Sequence, residues 1–129
     1  MKTKDKVANA IKWIDGLLVT RYKQGQGKLG SKKEGFCCLG YGCHILDIYH
    51  STLEEYSPDF SDKVGLKHHH STFLPAVQVD GFGPCASLDE LNDKAKWSFN
   101  QIAKFMIDRE FSMFEDKVSA KLVEHYKKS

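Results

Sequence analysis

The sequence predicts an α+β domain, mostly helical, with about four to five helices and a small two- to three-stranded sheet. Three observations predict it. Apolar residues recur at helical spacing near both ends of the chain. Three Ser-x-x-Glu/Gln pairs open candidate helices in the C-terminal third. Between these regions, residues 72–79 have strand composition and run into the turn signal Asp80-Gly81-Phe82-Gly83-Pro84. A length of 129 residues suits one domain, 1–129, built on one core.

The first helix follows from Val7, Ile11, Ile14 and Leu18, with Ala10 and Leu17 beside them and Trp13 broadening the apolar face. Next comes Tyr22-Lys23-Gln24-Gly25-Gln26-Gly27-Lys28-Leu29-Gly30-Ser31-Lys32-Lys33-Glu34-Gly35. Four glycines here forbid a helix and permit tight turns, and four lysines face a single glutamate. A second helix is expected over residues 37–49, where Cys38, Gly42, Ile45, Leu46 and Tyr49 share one face and Leu39 and Cys43 extend it. Apolar on most sides, this helix belongs in the interior. Gly40 and Gly42 weaken it by about 1 kcal/mol each against alanine, which close approach by a neighbour would offset.

Residues 50–86 carry the weakest grammar. Ser57-Pro58-Asp59 is a turn signal, Lys67-His68-His69-His70-Ser71 is polar, and Pro75 splits the strand-like run or puts it on an edge. From Ser87 the pairs Ser87/Glu90, Ser98/Gln101 and Ser112/Glu115 mark helix starts. They predict helices near 88–93, 99–110 and 113–127. Phe99, Ile102, Ala103, Met106 and Ile107 face inward in the second of these, and Phe114, Val118, Leu122 and Tyr126 in the third, which is either separate or a continuation.

Net charge of +2 is too balanced to argue by itself for nucleic acid or a membrane surface. The basic patch beside Tyr22 comes with no groove-reading motif, so specific nucleic-acid recognition is not expected. No apolar run approaches the ~20 residues of a membrane span, and the charged start of the chain has no secretory pattern. Four cysteines, three of them in one expected helix, point to reduced thiols in a cytoplasm.

Three chemistries compete for the cysteines and the basic segment. Cys37 or Cys38 stands at a helix start, where a thiolate is favoured, so a thiol nucleophile is one reading, and six histidines offer a base. A zinc-stabilised module is another, but Cys38 and Cys43 diverge by about 140° around a helix, and only Cys85 with His68–His70 remains to complete a set. The third is an anion site. Arg21, Lys23 and Lys28, with the backbone of Gly25 and Gly27, lie just upstream of a helix start, where free N–H groups and the dipole favour negative charge. Gln24 and Asn92 would orient the ligand by neutral hydrogen bonds, or else tie the segment to the fold. The segment is not a P-loop, because Ser31-Lys32 inverts the required order and no strand precedes it.

Tyr22-Lys23-Gln24-Gly25-x-Gly27-x-Leu29, then Gly35-Phe36-Cys37-Cys38-Leu39-Gly40-x-x-Cys43, then Leu91-Asn92-Asp93 and Ser98-Phe99-x-x-Ile102-Ala103, resemble a family of small proteins of tailed phages and prophages. The resemblance covers roughly residues 11–50 and 88–108. It brings no established activity. It implies phage origin and life in the cytoplasm of an infected bacterium, with the histidine-rich 50–86 stretch and the last helix standing apart from the pattern. Small phage proteins of this kind often act by binding: they occlude host enzymes, counter defence systems or sequester nucleotide signals. The expected function is therefore non-enzymatic binding of a host protein or a small anionic, nucleotide-like ligand. No catalytic residue, metal or cofactor is assigned, and homo-oligomerisation is left open.

Overall fold

The computed structural model describes residues 2–19, 24, 30–31, 35–36, 38–46, 58–67, 73–79, 83–87, 91–92 and 95–127. The elements, in order, are α1 (Thr3–Val19), β1 (Gly30–Ser31), β2 (Gly35–Phe36), α2 (Cys38–Ile45), α3 (Pro58–Val64), β3 (Phe73–Val79), β4 (Gly83–Ser87), α4 (Phe99–Asp108) and α5 (Asp116–Lys127). Leu91 and Asn92 lie in a further helical turn.

Helix α1 touches each of the other four helices, so it is the axis around which the core assembles. Its buried residues are Ala10, Trp13, Ile14 and Leu17, spaced i, i+3, i+4, i+7. Val7, Ile11 and Leu18, expected on the inner face, are only partly buried at its margin. The Trp13 ring meets Phe60 edge-on at 4.9 Å and Phe114 at 6.4 Å, while its indole N–H donates to the Cys38 carbonyl at 2.9 Å. One side chain thus joins α1, α2, α3 and the α4–α5 connection, and truncating it to alanine would cost about 3–5 kcal/mol. Gly42 of α2 lies directly against the Phe60 ring, with Trp13 beside it. The close approach that offsets this helical glycine is therefore made by aromatic side chains.

Polar side chains close two helix ends that the core leaves open. The Asn9 amide donates to the Lys63 carbonyl at the end of α3, and the Asn100 amide to the Leu18 carbonyl at the end of α1. Helix α4 begins with the expected capping box: Ser98 Oγ accepts from the Gln101 N–H, and Gln101 Oε1 accepts from the Ser98 N–H. It ends in a Schellman motif. The Phe111 N–H reaches the Met106 carbonyl and the Glu110 N–H the Ile107 carbonyl, with Glu110 at φ 53° in the position glycine usually takes. This turn makes α5 a separate helix. The Ser112/Glu115 pair does not open it: α5 starts at Asp116, one turn later than the pattern predicts, because Phe111, Met113 and Phe114 are drawn into the core.

The α+β class expected from the sequence is corrected to mainly helical. Among the residues whose burial is described, the buried core is built from helices and the segments joining them. The strands form two separate antiparallel ladders, β1 with β2 and β3 with β4, not one sheet of two to three strands. A two-stranded ladder is marginal by itself and makes no layer for helices to pack on. The strand-like composition of 72–79 thus produces a hairpin, with an irregularity of register between Phe73 and Val77 around Pro75. Helix α3, seven residues within the stretch of weakest grammar, was not expected; Pro58 is its first residue, a position proline favours. The end of α3 is tied to the α4–α5 connection by the Leu66–Phe114 bridge and by the Glu115 N–H donating to the Gly65 carbonyl at 2.7 Å. Of the helix expected over 37–49, residues 38–45 are helical, and Tyr49 lies outside the described residues.

Candidate functional site

Gln24 sits where three segments meet. Its Nε2 donates to Asn92 Oδ1 and to the Trp97 carbonyl, each at 2.7 Å, and its Oε1 accepts from the Phe99 N–H at 3.1 Å. Phe99 is the first residue of α4, so Gln24 satisfies a backbone donor that the capping box leaves over. Asn92 is fully buried, and its Oδ1 also accepts from the Cys38 N–H, at the first residue of α2, at 3.2 Å. Gln24 and Asn92 therefore link the glycine-rich segment to the N-termini of α2 and α4 together. In these bonds both amides hold the fold, which is the tethering role open to them from the sequence.

Of the expected anion-site residues, Gln24 and Asn92 are brought together, while Arg21, Lys23, Gly25, Gly27 and Lys28 lie outside the described residues. Lys23 and Gly25 are the covalent neighbours of Gln24. Cys38 and Cys43 are fully buried, and Cys37 lies outside the described residues. The Cys38 backbone is held on both sides, its N–H by Asn92 and its carbonyl by Trp13. Among the described residues, no three His, Cys, Asp or Glu side chains gather to hold a metal ion. His68–His70 lie outside that set. No helix among the described residues is long and apolar enough to cross a membrane.

Periodicity and motif spacing did not mark the groove beside this anchor. Trp97, Gln101, Lys104, Phe105 and Asp108 line an open depression of about 250 Å³ along α4. The Trp97 and Phe105 rings stand 5.7 Å apart at 68°, and the Arg109 guanidinium lies 5.2 Å from the centre of the Phe105 ring. The signal that could have found the groove is an aromatic just before the capping box, Trp97, followed two helical turns later by a second, Phe105. A second depression, about 390 Å³, lies between the start of α1 and α5 and is lined by Thr3, Lys4, Val7 and Lys121. Among the described residues that line it, Val7 alone is apolar, and Lys121 pairs at 3.9 Å with Glu124.

Comparison with curated proteins and with solved structures returns no match. A family model described as a domain of unknown function, DUF8296, matches residues 4–79. The matched span takes in α1, the glycine-rich segment with Gln24, α2, α3 and β3, and stops short of Asn92 and the α4 groove. With well over half of its length inside that match, the chain belongs to the DUF8296 family.

Proposed function

We propose that this chain is a non-enzymatic accessory protein of phage origin that binds an anionic, nucleotide-like ligand through its glycine-rich segment. Its setting is the cytoplasm of an infected bacterium, and its purpose is to counter host defence by sequestering that ligand or a host factor. The observation that carries the reading is the Gln24 anchor. Gln24 is held by hydrogen bonds to Asn92, Trp97 and Phe99, and Asn92 in turn holds the Cys38 N–H at the start of α2. Gln24 stands at the starts of α2 and α4, and helix starts favour negative charge; in the sequence its neighbours are Lys23 and Gly25. The tailed-phage resemblance supplies the biological setting. Of the thiol-enzyme reading with Cys37 or Cys38 as nucleophile, the Cys38 form has less support, since a fully buried Cys38 has no surface to offer a substrate, and Cys37 lies outside the described residues.

The test is titration with mono-, di- and cyclic nucleotides at two salt concentrations, with the doubly substituted Lys23→Ala, Lys28→Ala chain as comparison. Binding that weakens with salt and is lost in the double variant is expected. Equal binding by both chains, or none to any anion by a variant-independent, folded protein, refutes the reading.

A further inference from the structure

The chain reverses between α4 and α5 on two residues that resist it. Glu110 and Phe111 both take left-handed backbone, at φ 53° and φ 59°. Neither is glycine, and for a bulky side chain such as Phe111 this region is a genuine outlier. From Cys85 onward the sequence holds no glycine and no proline, so no helix breaker stops α4. Hydrogen bonding does not keep the turn closed either. The turn pairs the Glu110 N–H with the Ile107 carbonyl and the Phe111 N–H with the Met106 carbonyl. Right-handed helix pairs Glu110 with Met106 and Phe111 with Ile107, the same two donors with the same two acceptors. What closes the turn is the docking of the chain beyond it. Met113 and Phe114 enter the core, the Met113 carbonyl accepts from the Lys67 N–H at 3.0 Å, and the Glu115 N–H donates to the Gly65 carbonyl at 2.7 Å. Lys6 Nζ stands 3.0 Å from Glu115 Oε1, Val118 packs on Gly65, and the Tyr126 hydroxyl donates to Asp15 on α1.

We infer that residues 112–127 exchange between two copies of the chain, with Glu110–Phe111 as the hinge. The partner is a second copy because the surface that receives α5, on α1 and at Gly65–Lys67, already fits this segment and is the same in every copy. The docking contacts from Met113 to Tyr126 are chemically identical whichever copy supplies them, so exchange keeps them. The Ser119 Oγ bond to the Glu110 carbonyl spans the hinge and does not carry over. In return, two left-handed residues per copy relax into helix. A short connection under strain favours such an exchange. Joining two chains costs freedom of movement, so the closed monomer prevails in dilute solution and the dimer gains with concentration. The inference is independent of any ligand.

The Lys6–Glu115 pair supplies the test, because it joins α1 to a residue beyond the hinge. Chains of ordinary and of ¹⁵N-labelled protein are unfolded in urea, mixed, and refolded together over a wide range of concentration. Light scattering separates monomer from dimer, and a carbodiimide then joins Lys6 to Glu115. Expected are a dimer fraction that rises with concentration, isotope-mixed Lys6–Glu115 peptides from the dimer, and only unmixed ones from the monomer. Two variants at exposed Glu110 leave the core untouched. Glu110→Gly accepts the closed turn and should lower the dimerisation constant by about ten-fold or more, since each dimer opens two hinges. Glu110→Val, β-branched and therefore poorer at positive φ, should raise it. Dimers whose cross-linked peptides are all unmixed associate through their surfaces and overturn the exchange. Mixed peptides with a dimerisation constant indifferent to both variants overturn the hinge. A monomer at every concentration, in parent and Glu110→Val alike, overturns the inference as a whole.

Discussion

Replacing Asn92 with leucine removes a polar side chain that is fully buried and engaged at one oxygen by two donors. The two donors differ in what they lose. The Cys38 N–H belongs to a fully buried residue at the start of α2, so withdrawing this acceptor costs the desolvation of a buried amide, about 1–3 kcal/mol. Gln24 is partly exposed, and its Nε2 still donates to the Trp97 carbonyl, so its loss is nearer 0.5–1.5 kcal/mol. Together Asn92→Leu should destabilise by about 2–4 kcal/mol, a fall in Tm on the order of 10 °C for a chain of this size. Urea unfolding gives the free energy, with an unchanged m-value as the check that the folded state is the same. A cycle with Gln24→Ala isolates their coupling, expected at about 0.5–1.5 kcal/mol, since the two touch directly. Asn92→Leu within 0.5 kcal/mol of the parent, or strict additivity with Gln24→Ala, would refute the claim that this pair anchors the glycine-rich segment.

Gly42→Ala should destabilise by about 1–2 kcal/mol although alanine is the better helix former, because its methyl would overlap the Phe60 ring and come within 3.0 Å of Trp13 Cδ1; a rise in the urea midpoint would contradict this. Glu110→Gly should stabilise by about 1 kcal/mol by relieving a left-handed conformation at φ 53°, while the carbonyl that accepts from Ser119 Oγ is kept; calorimetric Tm is the readout. Cys38 and Cys43 should resist a thiol reagent until the chain unfolds, and fast native labelling of Cys38 would revive the nucleophile reading. Burial, and then the Asp15 carboxylate to which its hydroxyl donates at 2.7 Å, hold the Tyr126 phenol well above its ordinary pKa. The folded state thus keeps this proton more tightly, so the contribution is intact below about pH 10 and is lost as pH rises beyond it. Stability measured against pH should fall on the alkaline side, and Tyr126→Phe should flatten that limb.

What the sequence determined by itself are features that act within a few residues of the chain. The helical repeat of α1, the Ser98/Gln101 box of α4, and the interior placing of Cys38 and Cys43 all follow from spacing. Partner choice across the chain was decided by the tertiary structure alone. Periodicity shows that α1 has an apolar side, but Ala10, Trp13, Ile14 and Leu17 face inward because Trp13 has Phe60, Phe114 and the Cys38 carbonyl to meet. Nothing local distinguishes α3 from a turn; its Phe60 fills the space that Gly42 leaves against Trp13. A strand-like composition specifies an extended backbone, and it does not specify a second layer, so the sheet reduced to separate ladders. Gln24 and Asn92 are 68 positions apart, and each reads as an ordinary turn or cap residue. Only the tertiary structure brings their amides within 2.7 Å, where the start of α4 meets α2 through the Phe99 and Tyr41 rings, 5.5 Å apart.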